Sequence, residues 1–191
     1  MRTPVPDAAS DTVSDAVVDA ARSGDREAMR AIYEALAPAV LGYLRAKGVA
    51  DPEAVTGDVF VALLGRLDRV TGGASGLRKL TFSIAHARMV DEHRRRARTP
   101  VAISYDADQD RRTVDSAEDE ATASLAAARV RGVLALLPDD QREVLTLRVV
   151  ADLSIEQVAD VMGRSQGAVK QLQRRAMIAV RRIIAEREVT P

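Results

Sequence analysis

Apolar residues return at helical spacing in segment after segment of this chain, and that period commits it to packed helices. Val13, Val17, Ala20 and Ala21 stand at i, i+4, i+7 and i+8, and Gly24 closes their segment. Asp25 is a good N-cap for the next run, in which Met29, Ile32, Leu36, Val40 and Leu44 mark one face. Pro38 falls inside that run and is expected to kink or split it. Asp51 followed by Pro52 opens a third helix, predicted over 51–70, with Val55, Val59, Leu63 and Leu67 on its apolar face. The sequence TGGASG at 71–76 reads as a loop, and a long helix follows over 77–98, before Pro100. Further helices are predicted near 125–137, 139–149, 155–162 and 166–186.

Composition narrows the class. The 191 residues include no cysteine, so disulfides, thiolate zinc sites and thiol catalysis are excluded. No tryptophan, three tyrosines and two phenylalanines supply little of the aromatic bulk of a sandwich or a sugar-binding cleft. No apolar run approaches the roughly 20 residues that span a bilayer. The start, MRTPVPDAASD, lacks the pattern of a signal peptide, so a soluble cytoplasmic protein without membrane insertion is expected.

A net charge of zero conceals a segregated distribution. The balance is −3 over 1–77, +5 over 78–98, −5 over 99–125 and +3 over 126–191. Six basic residues and no acidic one lie between Arg164 and Arg182. Two basic patches flanking an acidic spacer suit a polyanion held at two points. The expected fold class is therefore all-α, with two small helical domains joined by a flexible acidic linker. The expected divisions are a disordered tail at 1–11, a first domain at 12–98, a linker at 99–124 and a second domain at 125–188 that ends in a helix-turn-helix.

The helix-turn-helix is the sharpest local signal. Ser154 and Gln157 fit a capping box for a short helix carrying Ile155, Val158, Ala159 and Met162. Gly163 suits the turn, and Ser165 can cap the next helix. That helix is predicted to bury Val169, Leu172, Ala176, Val180 and Ile183 while exposing Lys170, Gln171, Gln173, Arg174 and Arg175. Gln and Arg make bidentate contacts to base edges, and Lys and Arg neutralise phosphates.

The stretch from Leu137-Pro138 through Arg142-Glu143 to Gly167-Ala168-Val169-Lys170 resembles the C-terminal promoter-reading domain of sigma factors. Residues 80–98 resemble that family's helix for the other promoter element, and 51–70 its polymerase-binding helix. The short two-domain layout is similar to the extracytoplasmic-function (ECF, group IV) sigma factors. What the resemblance implies is a subunit that directs core RNA polymerase to specific promoters and helps initiate transcription. Its partners would be core polymerase (β′ clamp helices and β flap), promoter DNA as duplex and as melted non-template strand, and, as a further candidate, an anti-sigma factor.

By that resemblance Arg164, Ser165, Gln166, Lys170, Gln171, Gln173, Arg174 and Arg175 would meet the −35 element. Arg78, Lys79, Phe82, Ser83, His86, Arg88, Arg94, Arg95 and Arg96 would meet the −10 region, with the 72–78 loop forming a pocket for a flipped base. Asp58, Phe60 and Leu64 would face the polymerase. The acidic spacer serves either as a plain tether or as a nucleic-acid mimic threading a basic cleft of the polymerase.

Enzymatic readings fail on pattern, and no cofactor or metal is expected. Asp91-Glu92-His93 has no accompanying phosphate loop. The two histidines, His86 and His93, lie seven apart on one helix, about 10 Å along its axis, too far for one ion. Two non-enzymatic alternatives stand: a helix-turn-helix regulator that binds duplex DNA alone, and a sigma mimic that sequesters a regulator.

Overall fold

The computed structural model describes residues 13–98, 129–130 and 132–188. The expected tail at 1–11, the linker at 99–124 and the start of the helix at 125 lie outside the described residues. Helix α1 (Asp15–Arg22) begins at Ser14. Helix α2 (Arg26–Ala46) begins at Asp25, whose Oδ1 accepts from the N–H groups of Glu27 and Ala28 at 2.8 and 3.3 Å. Pro38 does not split α2, which runs unbroken through it. Pro38 faces solvent, so the Glu34 carbonyl it leaves without an N–H partner can be hydrated.

Helix α3 (Pro52–Leu64) starts as expected, with Asp51 Oδ1 accepting from Ala54 N–H at 2.9 Å and proline in the first turn. It stops at Leu64, short of the expected residue 70. Gly65 ends it, and a 3-10 turn (Leu67–Arg69) swings Leu67 and Val70 into the core.

The TGGASG segment is likewise corrected. Helix α4 (Gly73–Arg98) takes most of it in as its first turn. Asp15 makes this possible: its Oδ1 accepts from Ala74 N–H at 2.7 Å, occupying the open end of α4.

Beyond the undescribed segment come α5 (helical residues 132–135), α6 (Asp139–Val149), α7 (Ile155–Met162) and α8 (Gln166–Glu188). Arg142 ties the end of α5 to α6, donating to the carbonyls of Leu134, Ala135 and Leu137 at 2.9–3.2 Å. No strand occurs among the described residues.

Two lobes result, α1–α4 and α5–α8, but their cores are not separate. One apolar cluster runs from Ile32, Leu36, Tyr43, Leu63 and Phe82 into Val144, Leu147, Leu153, Val158 and Val169. A smaller one, Leu137, Leu145, Ala176 and Ile183, fastens α5 and α6 to α8. The second lobe lies against α2 and α4.

Candidate nucleic-acid interface

The helix-turn-helix is built from local sequence. Ser154 Oγ accepts from Gln157 N–H at 3.2 Å while the Gln157 side chain accepts from Ser154 N–H at 2.8 Å. Gly163 adopts φ +61°, a left-handed turn that favours glycine, and ends α7. Ser165 Oγ then accepts from Ala168 N–H at 3.2 Å and opens α8. Val169 and Ala176 are fully buried and hold α8 down. Its outer face presents Gln166, Lys170, Gln171, Arg174 and Arg175 to solvent, with Gln173 half-buried beside them. Arg164 leans away, paired with Asp140 at 2.6 Å.

Along α4, Lys79, Ser83 and His86 share one face at helical spacing, and that face is turned toward the second lobe. Ser83 Oγ donates to its own helix, at the Lys79 carbonyl (2.8 Å). Phe82 is not a stacking surface here: it is fully buried, edge-on to Tyr43 at 5.8 Å between ring centroids. The 72–78 loop is corrected in its backbone, since residues 73–78 are helical and Asp15 holds the α4 terminus. Arg88 and the run Arg94, Arg95, Arg96 and Arg98 are exposed. Within that run Arg95 and Arg96 both pair with Glu92, and Arg96 also donates to the Gly48 carbonyl at 3.2 Å. Asp91 lies 4.0 Å from Arg94.

Of the expected polymerase contacts, Asp58 and Leu64 are exposed and Phe60 is buried. Phe60 instead supports Tyr33, ring edge to face at 4.7 Å. On the first lobe, the large apolar side chains exposed among the described residues are Tyr33 (49%), Val61 (74%) and Leu64 (41%). Sequence reasoning missed the first two, although Val61 stands off the Val55–Val59–Leu63 stripe and thereby announces itself.

A buried charge cluster was also missed. Glu143 on α6 is surrounded by first-lobe groups. Tyr43 Oη donates to its Oε1 at 2.5 Å, His86 Nδ1 lies 3.1 Å from the same oxygen, and Lys47 pairs with Oε2. Burial alone would raise this carboxyl. The His86 hydrogen bond, the Lys47 charge and the Tyr43 hydroxyl outweigh it and hold the group at about 2. The Tyr43 phenol is pushed well above its ordinary range, by burial first and then by the neighbouring carboxylate.

More contacts cross between the lobes. Lys79 pairs with Asp160, and Gln157 Nε2 donates to Ser75 Oγ and its carbonyl at 2.9 and 3.1 Å. Arg78 Nη1 donates to the Ala151 carbonyl at 3.3 Å. Among the described residues no helix is long and apolar enough to cross a membrane.

Residues 133–182 match the family described as Sigma-70, region 4. The chain is 33% identical over 162 residues to the ECF RNA polymerase sigma factor SigD of Mycobacterium tuberculosis, covering 81% of this chain and 76% of that protein. It is 31% identical over 180 residues to the ECF RNA polymerase sigma factor ShbA of Streptomyces griseus, covering 89% and 94%. Among solved structures, CnrH in complex with the cytosolic domain of CnrY shares the fold, with TM-score 0.64 and 24% identity over 90% of this chain and 97% of that one.

Proposed function

The chain belongs to the ECF RNA polymerase sigma factors, and we propose that it serves this role by holding a promoter at two separated places while mounted on core polymerase. The observation that carries this reading is α8. Buried Val169 and Ala176 fix its orientation, so Lys170, Gln171, Arg174 and Arg175 project outward together from a capped, glycine-turned helix-turn-helix. This row meets the −35 duplex, with Gln and Arg addressing base edges and Lys addressing phosphate.

The first lobe takes the other two tasks. Tyr33, Val61 and Leu64, with Asp58 alongside, form its polymerase-facing patch, an exposed apolar surface of the kind that marks a docking site. Arg78, Lys79, Ser83 and His86 hold the melted −10 strand, and Arg88 with Arg94, Arg95 and Arg96 follow the phosphates of the adjoining duplex. Phe60 and Phe82 act from beneath as packing. Division into a domain at 12–98 and another at 125–188 lets the acidic 99–124 segment, about 85 Å if fully extended, bridge the two promoter elements.

Run-off transcription tests the whole reading. Purified chain added to core polymerase should produce transcripts from discrete start sites, and mapping those sites yields both elements. Unchanged transcription, or tight sequence-specific binding to intact duplex by the chain alone, would replace this reading with a stand-alone regulator.

A further inference from the structure

Glycine is costly inside a helix unless the fold needs it, because it frees the unfolded chain and packs nothing. Some glycines here are needed: Gly163 turns at φ +61°, and a Cβ on Gly76 would stand 1.7 Å from the Thr71 carbonyl oxygen. Gly167 has neither reason. It lies in the first turn of α8, exposed, and without the positive φ of the turn glycines. Beyond its own helix backbone and adjoining residues, an added Cβ would meet only Ser165 Oγ among the described residues, at an ordinary 3.9 Å. Gly167, Gln171 and Arg174 stand at i, i+4 and i+7. They form one exposed line along α8, on the side away from buried Val169 and Ala176.

We infer that Gly167 is a positioning residue for duplex DNA: its missing side chain lets the first turn of α8 bring bare backbone against the base pairs of the major groove. This rests on the −35 role proposed for α8. Space decides the matter. A helix with its side chains is about 10–12 Å across, and the major groove is about 12 Å wide. With so little to spare, one methyl at the leading edge holds the helix off by roughly the length of a C–C bond. Gln171 depends most on the depth gained, since it stands one turn behind Gly167 on a side chain shorter than those of Lys170 and Arg174. Gly167 thus acts through Gln171, whose two-pronged amide matches the N6 and N7 edge of adenine.

Gly167→Ala separates stability from recognition. The variant should gain about 1–2 °C in Tm from helix propensity. Holoenzyme assembled with it should bind the promoter mapped by run-off transcription about tenfold more weakly in a fluorescence titration. On a fork template that keeps the −10 element and lacks the −35 duplex, variant and wild-type holoenzymes should bind equally. Gly167→Leu, a good helix former with a larger side chain, should deepen the loss on the full promoter and still match wild type on the fork. A role confined to the fold would move stability and binding together. Undiminished promoter binding by both variants overturns the inference, as does a fall in Tm for Gly167→Ala or an equal loss on both templates. If wild-type holoenzyme itself does not distinguish the templates, the −35 reading of α8 falls and takes the clearance with it; if it does and the variants match it, only the clearance falls.

Discussion

Asp15 on α1 caps α4 from a distance of 59 residues in sequence, its Oδ1 accepting from Ala74 N–H at 2.7 Å. The carboxylate both satisfies an otherwise orphan donor and complements the positive end of the α4 dipole. Asp15→Ala should cost about 1 kcal/mol, by analogy with other N-cap deletions. In a chain of this size that is a fall of about 2–4 °C in Tm by circular dichroism. Asp15→Asn, which keeps an acceptor, should recover most of it; an equal loss in both variants would mean that the charge and not the cap matters.

Gly76 and Gly57 should respond oppositely to the same substitution. A Cβ on Gly76 would lie 1.7 Å from the Thr71 carbonyl oxygen, which is backbone and cannot swing aside. Gly76→Ala should therefore destabilise by about 2 kcal/mol. Gly57 sits inside α3, where an added methyl would meet nothing within 4 Å. Gly57→Ala should stabilise by about 0.5–1 kcal/mol through helix propensity. Urea denaturation of the two variants checks both signs, and a shared sign would refute the steric account of Gly76.

These positions mark where sequence reasoning reaches and where it stops. Asp25, Asp51-Pro52, the Ser154/Gln157 box and Gly163 are legible because each cap acts within four residues of itself. The TGGASG segment misleads because three glycines in six residues signal a loop, while the cap that turns them into helix comes from Asp15. Glu143 is legible only as part of a family pattern. Its partners Tyr43, Lys47 and His86 lie far away in sequence, so nothing local reveals them. Phe82 owes its expected role to residue type and neighbourhood, and packing against Tyr43 buries it instead. Charge segregation is visible in the sequence, but not that Asp160 meets Lys79.

Acid should loosen the structure through Glu143. Its carboxyl sits at about 2 in the folded chain against an ordinary 4.5, so the folded state holds the charged form more strongly than the unfolded chain does. The sign follows: this contribution is fully present above about pH 4.5 and fades as pH falls toward 2. Glu143→Gln, which leaves Lys47 without its buried partner, should cost about 3 kcal/mol at pH 7. It should also flatten the acid limb of stability measured by urea titration between pH 4.5 and 2. An equally steep limb in the variant would clear Glu143 of the acid sensitivity.

Val61 is the most exposed of the apolar residues on the first lobe's outer face, at 74%. Val61→Glu should leave Tm within about 1 °C, since nothing buried is disturbed. It should weaken binding to core polymerase by roughly tenfold in a fluorescence titration, because a desolvated charge opposes docking. Asp58→Arg should act in the same direction. Full affinity in both variants would remove this patch from the interface and leave the polymerase contact to be sought elsewhere.

Arg174 and Lys170 share the outer row of α8 but differ in what they can read. The guanidinium fork of Arg174 matches the O6 and N7 acceptors of guanine, whereas an ammonium such as Lys170 serves as a point charge for phosphate. Arg174→Ala should cost about 1–3 kcal/mol on the mapped −35 element and little on a version altered at the contacted base. Lys170→Ala should weaken binding about equally on both and reduce the salt dependence by the share of one phosphate contact. Run-off titrations on the paired promoters at two salt concentrations separate the outcomes. A uniform loss for Arg174→Ala would reassign that side chain to the DNA backbone and leave Gln171 and Gln173 as the base-reading pair.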